Sequence, residues 1–211
     1  VDETVSPSVF RRDCVLGTYA SDLTEQTARK IGGAFVDFLR FRRGDSARVV
    51  VGRDARSSSH RLSFSVSHGI TDAGMDVSDL GETGTEVLNF AVAARKFDGG
   101  VMVTGSHHPK EMNGFLFFVE GGVMIGWEDG IDKIKALACQ RRKAKPPRGG
   151  RIQSLDVLDE YKNFVMTFVG SLKPMRVVVD AANGMAGKLV PLIFEDMAGV
   201  EIVPMNFDAD G

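Results

Sequence analysis

Residues 100–120 read G-V-M-V-T-G-S-H-H-P-K-E-M-N-G-F-L-F-F-V-E. The apolar, β-branched run at 101–104 predicts a buried strand, and 115–119 predicts a second. Between them lies a polar loop with Ser106, His107, His108, Pro109 and Lys110, ending in a turn pair, Asn113-Gly114. Reactive side chains on a loop held between two buried strands are a common setting for a site. A serine hydroxyl becomes a covalent carrier when a base removes its proton and a cation stabilises the developing charge. Imidazole is the side chain suited to acid–base work near neutral pH, so His107 and His108 are the local candidates for acid or base. The same residues also fit a plain turn, with Ser106 as a cap and both histidines solvated.

Strand and helix alternate on either side of this stretch. Val9 and Phe10 open a predicted strand. Thr24 is the expected N-cap of a helix, with Leu23 stapled against Ala28. Ala28, Ile31, Phe35, Phe38 and Leu39 recur at helical spacing and face the core. Arg40, Arg42 and Arg43 suit its last turn, and Gly44 its C′ position. Residues 49–51 predict a strand that runs into the loop 52–59. A helix with Leu62, Val66 and Ile70 inward follows, ended by Gly74. Residues 75–80 predict a strand and 81–85 a loop. A helix carrying Val87, Leu88, Ala91 and Ala94 then leads back to the strand at 101.

Past residue 120, Gly121-Gly122 predicts a small antiparallel excursion, and 127–139 a helix burying Ile131, Ile134 and Leu137. Residues 140–151 hold six basic side chains and no acid. They read as an exposed linker and not as an anion patch, because no aromatics are interleaved for stacking on bases. Ser154 is the expected cap of a helix through Val157, Leu158, Tyr161, Phe164 and Val165. Residues 176–180 predict a strand, 181–184 a tight loop, 189–197 a helix and 200–203 a strand. The expected fold is therefore α/β: a three-layer αβα sandwich with a mixed, mostly parallel sheet over 1–150, then the start of a second, similar domain over 151–211.

Composition narrows the function. The 211 residues are 43% hydrophobic and 26% charged, as in an ordinary globular protein. A net charge of −2 argues against a nucleic-acid partner. No apolar run reaches the roughly 20 residues that span a bilayer, so no membrane partner is expected. The opening V-D-E-T-V-S-P has no signal-peptide pattern. Two cysteines, Cys14 and Cys139, fit reduced thiols in a cytoplasmic protein, and neither has zinc-site spacing. A start at Val1 and a stop at Gly211, just after a strand, suggest a segment of a longer protein. Oligomeric state is not legible.

The serine loop, T-G-S-H-H-P-x-x-x-N-G-F, resembles the T-A/G-S-H-N-P-x-x-x-N-G-[FI]-K signature of the α-D-phosphohexomutases, the phosphoglucomutase/phosphomannomutase family. Residues 52–59 resemble that family's G-R-D-x-R-x-S-S segment. Residues 177–184 resemble the V-V-V-D-x-x-N-G opening of its second domain. The final D-G resembles the pair before its metal-binding stretch, and the 81–85 loop matches only loosely. The matches come in order and run from about Phe10 to Gly211.

The resemblance implies interconversion of hexose 1-phosphate and hexose 6-phosphate, of mannose and/or glucose, through a phosphoserine and a bisphosphorylated sugar. It implies Ser106 as phosphoryl carrier and His107 in proton transfer. Arg11, Arg12, Arg53, His108 and Lys110 would lie about the phosphate or substrate. Mg²⁺ would bind the Ser106 phosphate, together with aspartates expected beyond Gly211. Arg53 has a second reading, as half of a structural ion pair with Asp54. In F-R-R-D-C-V-L-G (10–17), Leu16 stands where the family has arginine. Leu116 stands in place of its lysine, and His108 in place of its asparagine. Leucine cannot stabilise a transferring phosphoryl group. The alternative is therefore a non-catalytic homologue or a sugar-phosphate-binding module. With no G-x-S-x-G elbow, a serine hydrolase is set aside.

Overall fold

The computed structural model describes residues 4–44, 46–140, 149–170, 172–195 and 197–210. Strands β1 (Val15–Thr18), β2 (Val49–Arg53), β3 (Val77–Glu82), β4 (Gly99–Val103), β5 (Met112–Val119), β6 (Val123–Met124) and β7 (Ile152–Ser154) form one sheet. Its order is β1-β5-β4-β2-β3-β7, with β6 also on β5. β2 pairs in parallel with β3 and β4, and β7 with β3; β5 runs against β1, β4 and β6. The sheet is mixed and mostly parallel, as expected.

Helices α1 (Glu25–Arg43), α2 (Ser59–Asp72) and α4 (Asp132–Ala138) cover one face, and α3 (Thr85–Ala94) the other. Alternation along the strands divides the core. Val49 and Val51 face the α1/α2 side with Phe35 and Phe117, while Val50 and Met102 face Leu88 and Val92 of α3. The Phe35 and Phe117 rings lie 5.0 Å apart, tilted by 37°. Burying each such side chain contributes on the order of 1.5–3 kcal/mol.

α1 begins as its sequence predicts. The Thr24 hydroxyl accepts from Thr27 N–H, and Thr27 returns the bond to the Thr24 backbone. Gly44, at φ 79°, ends it. α1 and α2 meet through glycines. A Cβ on Gly69 would lie 1.9 Å from the Arg29 carbonyl oxygen, and one on Gly32 2.3 Å from that of Val66.

Several local expectations fail, each for a physical reason. Residues 7–9 form a 3-10 turn and not a strand: Pro7 presets its first φ, and the Ser6 hydroxyl accepts from Ser8 N–H. Phe10 keeps one bridge to Val15. Asn113-Gly114 is no turn but lies inside β5, where the Asn113 amide finds buried hydroxyl partners. Ala94 is exposed, and Val92 takes its place in the core. Ser154 caps nothing; it ends β7. α5 (Leu158–Met166) is opened instead by Asp156, whose carboxylate accepts from Leu158 N–H at 2.9 Å. Of the basic stretch 140–151, residues 141–148 lie outside the described residues, as does Gly211.

The chain ends in a second parallel pair, β8 (Met175–Asp180) with β9 (Val200–Met205), linked by α6 (Ala186–Phe194). α6 starts three residues before the expected Leu189. Leu189 packs with Val87, Ala91 and Val157, and this small apolar cluster joins the second pair to α3.

Candidate functional site

Four loops that follow parallel strands converge on one cleft of about 460 Å³. Asp54, Ala55 and Arg56 come after β2, and Gly84, Thr85 and Glu86 after β3. Thr104, Ser106, His108 and Lys110 come after β4, and Ala182 to Ala186 after β8, with Asp210 beside them. Crevices at the carboxyl ends of parallel strands, where helix N-termini also point, are the usual ligand positions of open α/β sheets.

Ser106 is exposed and takes a positive φ of 52°, uncommon for a residue with a Cβ. Its amide donates to Thr104 Oγ1 at 2.8 Å, and Thr104 Oγ1 donates to Asp54 Oδ2 at 2.7 Å. Ser106 Oγ lies 3.3 Å from His107 Nδ1. The His107 and His108 rings lie with centroids 4.4 Å apart, tilted by 30°, and His108 Nδ1 bonds the Gly105 carbonyl at 3.1 Å.

Asp54, nearly buried, organises the neighbouring loop. It accepts from the Ser59 hydroxyl, from Arg56 N–H at 3.1 Å and from Gly105 N–H at 3.3 Å. Asn113 donates to Ser58 and Ser59 at 2.8 and 2.9 Å, tying β5 to the start of α2. Arg56 reaches across to the carbonyl oxygens of Ser106 (2.8 Å), His108 (2.7 Å), Pro109 (2.8 Å) and Met112 (3.2 Å).

The candidate residues therefore divide. Ser106, His108 and Lys110 share the cleft, and His107 flanks it against Ser106 and His108. Arg11 and Arg12 are exposed in the turn between Phe10 and β1 and do not line it. Arg53 lies outside the lining too. It donates to Glu82, its register neighbour on β3, at 2.9 Å, and meets Asp54 through the backbone oxygen at 3.3 Å. The side chain paired with Asp54 is Arg56, at 3.3 Å, so the expected Arg53–Asp54 pair is replaced by two others. Arg56 was the residue missed. Its signal was present in G-R-D-x-R, which offers two arginines and does not say which one turns inward.

Across the cleft, Lys188 also pairs with Glu82. Burial works against the charged form of Glu82, but the bonds from Lys188 and Arg53 outweigh it and hold the carboxyl below its ordinary value. The Asn206 amide and then the Ala182 N–H do the same for Asp180, fixing the loop in which Ala182 and Asn183 take positive φ. Leu16 is buried. Leu116 is half-buried against the cluster of Val50, Leu88 and Met102. Among the described residues no three His, Cys, Asp or Glu side chains are grouped to hold a metal.

Comparison with known proteins points one way. Residues 8–145 match the family described as phosphoglucomutase/phosphomannomutase, alpha/beta/alpha domain I. The chain is 31% identical over 208 residues to a phosphomannomutase of Vibrio cholerae, covering 96% of this chain and 45% of that protein. It is 34% identical over 209 residues to a phosphomannomutase/phosphoglucomutase of Pseudomonas aeruginosa, covering 99% and 43%. The crystal structure of a phosphoglucomutase/phosphomannomutase family protein from Burkholderia thailandensis superposes with a TM-score of 0.87 at 32% identity, over 98% of this chain and 45% of that one. The chain thus spans under half the length of the curated relatives it matches.

Proposed function

Because the chain belongs to the phosphoglucomutase/phosphomannomutase family, we propose that it is the N-terminal part of a phosphohexomutase. The enzyme interconverts hexose 1-phosphate and hexose 6-phosphate, of mannose and/or glucose, through phosphate carried on Ser106 and a bisphosphorylated sugar. The carrying observation is the exposed Ser106 hydroxyl, set at positive φ in a cleft built from four strand-end loops. In the forward step the bond between phosphorus and Ser106 Oγ breaks as one forms to a sugar hydroxyl. The sugar hydroxyl gives up one proton and Oγ takes one up, so the step moves one proton from the sugar oxygen to Oγ with none gained or lost overall. His107, with Nδ1 3.3 Å from Oγ, is the group in reach for that delivery. Lys110 is the cleft cation with a point charge to offer the phosphate, and His108 lines the same wall. Arg11, Arg12 and Arg53 have no such support, since none of them lines the cleft.

The division into domains at 1–150 and 151–211 and a cytoplasmic location belong to the same proposal; no described helix is long and apolar enough to cross a membrane. Mg²⁺, expected from the family, would supply charge neutralisation at the phosphate. The described residues do not fit it by themselves, since Ser106 through its phosphate is the ligand on offer and no acidic cluster joins it. No step here is routed through the metal.

The alternative, a non-catalytic homologue or sugar-phosphate-binding module, has its own observation. Leu16 is buried and Leu116 packs against an apolar cluster, so neither position presents a cation. Peptide mass mapping after incubation with hexose 1,6-bisphosphate tests the first reading. Phosphate is expected on Ser106 and absent after Ser106→Ala. Stable binding of the sugar without phosphate on Ser106 would replace it with the second. Leu16→Arg with Leu116→Lys is then expected to raise phosphate uptake.

A further inference from the structure

We infer that Arg56 is the positioning residue of the serine loop, an inference that rests on Ser106 being the phosphate carrier. The segment between β4 and β5 is polar and has an exposed tip, so left alone it would sample many conformations. One guanidinium prevents this. Arg56 has five N–H groups in a rigid planar fork; four carbonyl oxygens accept from its Nη groups, and Asp54 forms an ion pair beside its Nε. Its Nη2 donates to the carbonyls of Ser106 and His108, and its Nη1 to those of Pro109 and Met112. Its Nε faces Asp54 Oδ2 at 3.3 Å, and the side chain is only 12% exposed. With its Nη donors spent on carbonyls and its Nε beside a carboxylate, the guanidinium offers a phosphate no free fork, although Arg56 lines the cleft. Its effect passes through the backbone of residues 106–112. By holding the Ser106 carbonyl from below, it fixes the positive φ that turns Oγ toward the cleft.

Gly105 supports the same reading. A Cβ there would lie 2.6 Å from Arg56 Cζ and 2.6 Å from the Met112 carbonyl oxygen. Residue 105 has no positive φ, so what forbids a side chain is the guanidinium lying against it together with the Met112 carbonyl that the guanidinium bonds. Gly105→Ala therefore dislodges the fork while leaving Arg56 in the chain. Arg56→Lys does the reverse: it keeps the charge and removes the fork. A purely electrostatic role survives the lysine, and a positioning role does not.

The test is hydrogen exchange of the loop amides, together with the rate of phosphate uptake on Ser106 from hexose 1,6-bisphosphate. In both Arg56→Lys and Gly105→Ala, loop exchange is expected to rise by about tenfold or more, with β2 and β4 still protected. The uptake rate is expected to fall by roughly a hundredfold, as a misplaced reacting group does, with the half-saturating concentration within about twofold. Millimolar guanidinium ion restores Arg56→Ala in part but not Gly105→Ala. Wild-type loop exchange and uptake in Arg56→Lys overturn the inference. So does a weakened half-saturation at an unchanged rate. If wild-type Ser106 takes up no phosphate while the variants' loops still open, the carrier reading falls and the positioning of the loop stands.

Discussion

The first sheet and the β8–β9 pair use the same strand–helix–strand pattern, yet they are held together very differently. α1 buries ten of its residues, among them Ile31, Phe35 and Leu39. α5 buries none, and α6 only Leu189. Val178, at the middle of β8, is 62% exposed, and Phe168, just past α5, is 74% exposed. β-branched strands and apolar helix faces are present in both regions. What separates them is whether a second layer covers each face. Secondary structure follows from local pattern, whereas stability follows from layers.

The largest test of this contrast is Phe35→Ala against Phe164→Ala. The first empties a fully buried ring site and should cost about 3–5 kcal/mol in urea unfolding. The second removes a half-exposed ring and should cost about 1 kcal/mol or less. Equal effects would show that the second region is as consolidated as the first. Gly69→Ala comes next. Its Cβ has no room against the Arg29 carbonyl, so α1 and α2 must separate, for about 1–3 kcal/mol. A neutral result would mean that the helix crossing is looser than its geometry.

The smallest effect concerns the join between the regions. Glu82 holds Arg53 from its own unit and Lys188 from α6, and its carboxyl is depressed below its ordinary value. A depressed carboxylate stabilises the folded state above its unfolded pKa, and that contribution is lost as pH falls through the folded value. Exchange protection of α6 should therefore weaken below about pH 4.3, the ordinary glutamate range. Glu82→Gln should remove that pH dependence at a cost within about 1 kcal/mol, as for a partly solvated pair. An unaltered pH profile in Glu82→Gln would assign the docking of α6 to Leu189 alone.

Much of this was legible beforehand. The strands at 49–51 and 101–104, the capped helix from Thr24 and the serine loop are all short-range patterns of period, cap and turn chemistry. The failures at the site are long-range. That Arg53 takes Glu82, 29 positions away, follows from the register of β2 on β3, which no local pattern reports. That Asn113 sits inside a strand depends on hydroxyls more than 50 positions away. The inward turn of Arg56 likewise depends on carbonyls of a loop that it meets only after folding. The location of the candidate site was readable from the serine loop. The side chains that gather around it were not, because three other loops supply them.

The three residues of β7 carry a consequence beyond the site. An unpaired strand edge is a template on which another chain can add. The first sheet leaves little of one: β7 lies along β3, and at the other end β1 and β6 are four and two residues long. β8 and β9 are six residues each and pair only with one another among the described residues. Any intermolecular strand addition should therefore begin at β8 or β9, and a charged or proline substitution on those outer edges is where a solubility screen would look for its gain.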